Sequence, residues 1–158
     1  MAQLMLYLLL MIGMWMVIAS VAFPKKSTVD TMKAFVQKNE PVLIQVAQNA
    51  MDENVNPGIQ NSADVLEILG EGKVGSVSAR DQSAVFEITG DRVPEKGHLY
   101  LIYLPDGQYA FDLEGEWSAA TTDKNGTLRW EGGQGADSYV AVTRLSDCFF
   151  LEEARLSG

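Results

Sequence analysis

The glycine-rich stretch at residues 70–75 is the first candidate for chemistry. It reads Gly-Glu-Gly-Lys-Val-Gly and matches the pattern G-x-G-x-x-G of nucleotide-binding loops. A dinucleotide loop opens a helix after a strand, whereas these glycines run into two segments that read as strands. A kinase loop needs a lysine in the second strand, and residues 85–88 contain none. A P-loop needs a lysine before Ser76, where Gly75 stands instead. We therefore interpret the stretch as a flexible connection.

Nucleophiles and metal ligands are scarce. The chain has one histidine, His98, and one cysteine, Cys148, fewer than cysteine–histidine zinc sites or haem-attachment motifs require. Cys148 precedes three apolar residues, so we expect a small buried side chain on a strand. His98 follows a turn at a strand start and is expected to be exposed. The sequence thus predicts no catalytic residue, no metal site and no cofactor.

Three acidic residues occupy alternate positions along one predicted strand. Asp112, Glu114 and Glu116 would line one face if the strand continued through Gly115. Two such carboxylates could coordinate a hard cation or act in general acid–base catalysis. The alternative, which we favour, is the solvated face of an amphipathic strand.

Composition limits the classes of protein. The 158 residues correspond to one domain, and the formal net charge is −9. No charged residue precedes Lys25, so the whole charge lies in the remainder. A strongly acidic surface repels phosphate groups. Nucleic-acid binding is therefore not expected.

Residues 1–24 have the pattern of a transmembrane anchor. From Leu4 through Trp15 to Phe23 the chain carries no charge, and a helix of this length spans about 30 Å, the hydrocarbon thickness of a bilayer. The expected partner of this segment is the lipid bilayer, in a single pass through the cell membrane. Cleavage as a signal peptide after Ser20-Val21-Ala22 is the alternative, but the N-terminal end lacks a basic residue and the apolar run is long. The lysines that follow, from Lys25 on, favour a cytoplasmic domain.

Past the anchor, residues 25–53 read as helical. Ser27 and Thr28 are candidate N-caps, and apolar residues recur at helical spacing from Val29 to Val36. Pro41 interrupts the pattern, which resumes from Val42 to Met51. We predict one or two helices that cover a sheet.

Residues 54–158 form the β-rich part of the same domain. A period of two predicts eight strands: 74–80, 84–89, 98–104, 109–113, 117–121, 127–131, 138–145 and 148–154. Asn125-Gly126 favours a type I′ hairpin. Leu128 and Trp130 would share the buried face of their strand. The predicted fold class is α+β, with helices packed on an antiparallel meander sheet.

Several segments together resemble a known kind of protein. They are the apolar N-terminus, Phe35–Glu40, Val85–Glu87, Leu99–Tyr103, Trp130–Gly132 and Asp147–Glu152. With them the chain resembles a family of short, uncharacterised membrane-anchored proteins of Gram-positive gut bacteria. The resemblance implies a shared fold and no known activity.

Two classes of function remain open from the sequence. The first is a non-enzymatic module that binds another protein or a component of the cell envelope. The second is a small ligand-binding or enzymatic pocket between the helices and the sheet. Because no catalytic set is complete, the sequence favours the first.

Overall fold

The computed structural model describes residues 27–52, 62–109, 118–132 and 137–155. Its two helices are α1 (Thr28–Met51) and α2 (Ala63–Glu71). Its strands are β1 (Val74–Arg80), β2 (Ser83–Ile88), β3 (Gly97–Tyr103), β4 (Thr121–Thr122), β5 (Leu128–Glu131), β6 (Tyr139–Arg144) and β7 (Phe149–Arg155). The predicted α+β class is confirmed.

Helix α1 begins at a serine cap and buries one stripe. The Ser27 hydroxyl accepts a hydrogen bond from the Asp30 amide at 3.1 Å, which satisfies one of the amides that a helix start leaves unpaired. The buried side is spaced by three or four residues along the helix: Met32, Phe35, Val36, Asn39, Leu43, Val46 and Ala47. The helix packs on β1, β2 and β7.

Pro41 interrupts the apolar pattern of the sequence but does not divide α1, so the described part of this segment holds one of the one or two predicted helices. The proline lies inside the helix on its exposed side. It removes one backbone hydrogen bond at a cost of about 3 kcal/mol. Burying Leu43 and Val46 in phase with the first half of the stripe gains about 1.5–3 kcal/mol for each side chain. The two gains together offset the cost, so one helix continues to Met51.

Helix α2 ends in the glycine-rich stretch. Ser62 caps its start by accepting from the Val65 amide at 3.4 Å. The helix ends at Glu71, Gly72 and Lys73 form a turn, and β1 begins at Val74. The order is therefore helix, turn, strand, the reverse of a dinucleotide loop. The stretch caps a helix and starts a strand.

The seven strands form one antiparallel sheet in the order β1-β2-β3-β7-β6-β5-β4. The predicted single meander is wrong, because β7 lies between β3 and β6. Two meanders, β1-β2-β3 and β4-β5-β6-β7, are joined through the pairing of β3 with β7. In that pairing Leu101 lies opposite Leu151, and both side chains belong to the main core.

The sheet buries side chains on both faces. The main core lies under the helices and includes Phe86, Leu99, Leu101 and Phe149, all 0% exposed. A smaller cluster lies on the opposite face and comprises Val140, Val142, Phe150 and Ala154, packed against Leu104, Tyr109 and Trp130. We call this opposite face the helix-free face, because the side chains of α1 and α2 pack on the other one.

The C-terminal half of the sheet departs from the sequence prediction in detail. Residues 118–120 are not in a strand, and β4 is only Thr121–Thr122. Residues 110–117, which include most of the predicted strand at 109–113, lie outside the described residues. The Asn125-Gly126 turn is not type I′, because of the two only Gly126 has a positive φ. Instead Asp123 Oδ1 accepts from the amides of Asn125 and Thr127 at 2.7 and 2.9 Å.

The predicted anchor at residues 1–24 lies outside the described residues. Within the described part of the chain, no helix combines the length and apolar character needed to cross a bilayer.

Gly97 of β3 leaves no room for a side chain beside β7. A Cβ at this position would collide with the backbone carbonyl oxygen of Ala154. Because that atom belongs to the facing strand, Gly97→Ala must push the two central strands apart. We expect a marked drop in melting temperature, measured by calorimetry. The matched control is Gly70→Ala, since a Cβ there meets nothing within contact distance. Equal melting of the two variants would contradict the close approach.

Candidate functional site

A cluster of four side chains on the helix-free face is the candidate site. Leu99, Leu101 and Tyr103 of β3 point to the main core, so the alternate residues His98 and Tyr100 point to the other side. On β7, Glu152 lies directly opposite Tyr100. Tyr109 joins them from the loop after β3. We call His98, Tyr100, Tyr109 and Glu152 the His98–Glu152 cluster.

Glu152 is the centre of the cluster. Its Oε1 lies 2.8 Å from His98 Nε2, and its Oε2 accepts a hydrogen bond from the Tyr109 hydroxyl. The side chain is 17% exposed and that of His98 is 29% exposed. The His98 ring is stacked on Tyr100, with centroids 4.1 Å apart and planes at 15°. Both carboxylate oxygens are therefore engaged, and the imidazole ring is fixed by a hydrogen bond and a stack.

The surroundings move the pKa values of two members away from neutrality. Burial alone would raise the pKa of Glu152, but the hydrogen bonds from His98 and Tyr109, with the charges of His98 and Arg80, lower it overall. For Tyr109, burial is the largest cause, and the neighbouring Glu152 carboxylate adds to it; the phenol pKa is raised far above its ordinary value. At neutral pH the cluster therefore holds a carboxylate and an un-ionised phenol.

The ionised carboxylate fixes the role of one nitrogen of the His98 ring. An ionised Glu152 carboxylate can only accept, so His98 Nε2 must carry the hydrogen and donate it. The other ring nitrogen, Nδ1, is then the position where His98 can meet a ligand. The arrangement resembles the carboxylate–histidine pairs that orient an imidazole for binding or proton transfer.

His98 is not exposed as the sequence predicted. It is half-buried because the strand pairing of β3 with β7 places Glu152 diagonally beside it. The alternation of side chains along β3 is a signal in the sequence for the face of the sheet on which His98 lies. The identity of the facing strand, which supplies the carboxylate, is set by a contact between residues distant in sequence and has no local signal.

The structure separates the chain's cysteine from its histidine. Cys148 immediately precedes β7 and its carbonyl accepts from the Leu104 amide, at the far end of β3. His98 lies opposite Ala154 near the other end of the pair. Along the strands this separation is about 20 Å, so the two side chains cannot act together as nucleophile and base.

Cys148 is half-buried, rather than a buried strand residue. Its sulfur lies 3.9 Å from a carboxylate oxygen of Glu40 on α1. Burial raises the pKa of the Cys148 thiol, and the charges of Glu40 and Asp147 raise it further. The thiol is therefore protonated at neutral pH, which makes it a poor nucleophile.

A second polar cluster lies on the face of the sheet that the helices cover, at the outer strands β5 and β6 and at β7. The Tyr139 hydroxyl donates to Glu153, and the Arg129 guanidinium lies 3.9 Å above the Tyr139 ring. Arg129 Nε also donates to Glu131 Oε1 at 3.0 Å. Burial, followed by the hydrogen bond to Glu153, raises the pKa of Tyr139 to about 12. These residues pair with one another and stabilise the outer strands.

Three further candidates from the sequence are carboxylates that follow Tyr109 in the chain. Asp112, Glu114 and Glu116 lie outside the described residues. Among residues that the structure does describe, no three histidine, cysteine or acidic side chains are grouped so that they could hold a metal ion. Of the aromatic residues, Tyr103 lies in the main core, whereas Tyr100 and Trp130 are half-buried on the helix-free face.

Comparison of the chain with protein-family models, with curated proteins and with solved structures returned no match.

Proposed function

We propose that the chain is a single-pass, membrane-anchored binding module without catalytic activity, and that its helix-free face binds a basic segment of a protein partner at the His98–Glu152 cluster. The observation that carries this proposal is the geometry of the cluster: both carboxylate oxygens of Glu152 are engaged, by His98 and by Tyr109, and the His98 ring is stacked on Tyr100. Acid–base catalysis is most efficient when a group titrates near the working pH. Here the Glu152 pKa is lowered and the Tyr109 pKa is raised. Both shifts favour a static hydrogen-bonded network.

The packing of the domain also supports the helix-free face. Between the helices and the sheet, the side chains of Met32, Leu43 and Phe86 are each 0% exposed. That interface is filled by the core, which disfavours a pocket there. The stacked imidazole and phenol rings of the cluster instead form a planar surface at the outside of the sheet.

Charge favours a basic partner. The chain has a formal net charge of −9, and Glu87, exposed on β2, lies directly opposite Tyr100 on the helix-free face. A lysine or arginine side chain can pair with this carboxylate and lie against the Tyr100 ring. The acidic surface would also accelerate the approach of a basic partner.

A photo-crosslinking amino acid at position 87 tests the proposal in cells that express the full-length chain. We expect a discrete adduct whose crosslinked peptide is rich in lysine and arginine. Tyr100→Ala should lower the yield of that adduct, because the ring that supports the bound cation is lost.

The matched control carries the same crosslinker at position 45, which is exposed on α1. Equal adducts from positions 45 and 87, an acidic crosslinked peptide, or a yield that Tyr100→Ala leaves unchanged would each contradict the proposed surface.

The anchor and the orientation belong to the same proposal. We propose that residues 4–23 cross the membrane and that the lysines after them hold the domain on the cytoplasmic side. Deleting residues 1–24 is then expected to move the protein from the membrane fraction to the soluble fraction with its near-ultraviolet circular dichroism retained. Aggregation with loss of that signal would mean that the segment belongs to the fold.

A further inference from the structure

The turn between β4 and β5 contains an asparagine followed by a glycine, and both residues are exposed. The side chain of Asn125 forms no hydrogen bond with any of the described residues. A Cβ at position 126 would meet nothing within 4 Å, so the surroundings of Gly126 are open. The backbone nitrogen that follows Asn125 is therefore not shielded by a side chain, which is the condition for its reaction with the neighbouring carboxamide.

We propose that Asn125 is a site of spontaneous deamidation and that the Asp123 carboxylate limits the rate. The backbone nitrogen of Gly126 attacks the side-chain carbonyl carbon of Asn125, and the new C–N bond closes a succinimide ring. The bond from that carbon to the side-chain nitrogen breaks, and ammonia leaves with the proton of the backbone nitrogen. Water then adds to one of the two ring carbonyls and opens the ring, which leaves aspartate or isoaspartate.

Asp123 restrains the peptide bond that must move. Its Oδ1 accepts from the Asn125 amide at 2.7 Å and from the Thr127 amide at 2.9 Å. Its backbone carbonyl accepts from the Gly126 amide at 3.1 Å, so the attacking nitrogen is itself engaged. The ring can close only after this turn opens. Opening is local and costs little, because residues 121–126 are exposed and β4 has only two residues.

The charge of Asp123 opposes the reaction as well. The pKa of this carboxyl is lowered, chiefly by the hydrogen bond from the Thr127 amide, so the group is ionised at neutral pH. The attacking nitrogen must lose its proton, and a neighbouring negative charge disfavours the anion that results. Asp123 therefore slows the reaction both by holding the turn and by its charge.

The other asparagines of the described residues serve as internal references. Asn39 and Asn49 both lie inside α1, where the helix holds the backbone that follows them. The Asn39 side chain is buried and donates to the Phe35 carbonyl at 3.1 Å. We therefore expect Asn125 to react fastest of the three.

The rate of deamidation tests the proposal. The purified full-length chain is incubated at neutral pH, and the conversion of each asparagine to aspartate or isoaspartate is followed by mass spectrometry. Trypsin releases residues 125–129 as one peptide, after Lys124 and Arg129. Asp123→Ala should raise the rate at Asn125 by about tenfold, because hydrogen bonds to a charged group no longer hold the turn. Asp123→Asn keeps an acceptor oxygen without the charge and should give an intermediate rate.

The controls separate a local effect from loss of the fold. Asp91→Ala changes an exposed carboxylate in the loop before β3 and should leave the rate at Asn125 unchanged. Asn125→Gln should abolish the conversion, because the longer side chain does not close a five-membered ring. The proposal is wrong if Asn125 reacts no faster than Asn39 and Asn49. It is also wrong if neither change at position 123 raises its rate, or if both raise all three rates alike.

Discussion

Phe149→Ala is expected to lower the free energy of unfolding by about 3–5 kcal/mol. The side chain is 0% exposed and lies in β7, the central strand of the sheet. Its ring makes an edge contact with Phe86, at a centroid distance of 6.2 Å, and a tilted contact with Tyr103 at 5.4 Å. Whole domains are stable by only about 5–15 kcal/mol. The melting temperature of the full-length chain, followed by calorimetry, should therefore fall by more than about 10 °C.

Two further variants set the scale for that effect. Leu66→Ala changes a side chain that is 53% exposed and should alter the free energy of unfolding by less than about 0.5 kcal/mol. Trp130→Ala should lie between the two, because Trp130 is half-buried against Val140 and Val142. If Phe149→Ala has the same melting temperature as Leu66→Ala, the main core is not organised around β7.

Glu152→Gln is expected to remove part of the pH dependence of stability. At neutral pH it should cost about 1.5–3 kcal/mol, the usual contribution of hydrogen bonds to a charged group. Burial is the largest single influence on the pKa of Glu152 and raises it, but the hydrogen bonds from His98 and Tyr109 and the nearby positive charges together lower the folded-state pKa. A lowered pKa stabilises the fold fully above the ordinary glutamate value of about 4.3. That contribution is lost as the pH falls below this value through the folded-state pKa.

The measurement is denaturant unfolding of wild type and Glu152→Gln across a range of pH. The difference between them should be largest near neutrality and shrink on acidification. Glu87→Gln, exposed on the same face, is the control and should change stability by less than about 0.5 kcal/mol. A difference that stays constant from about pH 7 to pH 3 would show that Glu152 does not act through its charge.

Local patterns in the sequence predicted most of the strands but not their order. The alternation in Leu99-Tyr100-Leu101-Ile102-Tyr103 marks a strand, and β3 is found at Gly97–Tyr103. Alternation says which face a residue occupies and nothing about which strand lies beside it. The insertion of β7 next to β3 therefore had no local signal, and the pairing of His98 with Glu152 depends on it.

The two helices show where local helix propensity fails to predict the structure. Pro41 carries a strong local signal for a break, yet burial of the residues after it continues α1. Helix α2 was not predicted, because it is only nine residues long and contains Gly70. Its signals were the Ser62 cap and the spacing of Val65, Ile68 and Leu69. Both differences arise because tertiary packing outweighs local preference.

The central position of β7 decides when the domain can fold during synthesis. Until residues 149–155 leave the ribosome, β3 and β6 each lack the neighbour that lies between them. Before that point the nascent chain exposes two apolar strand edges, which invite wrong pairing and aggregation. The contacts that close the sheet join segments far apart in the chain and are slow to form. The N-terminal part of the chain must therefore wait for β7 before it gains its stability.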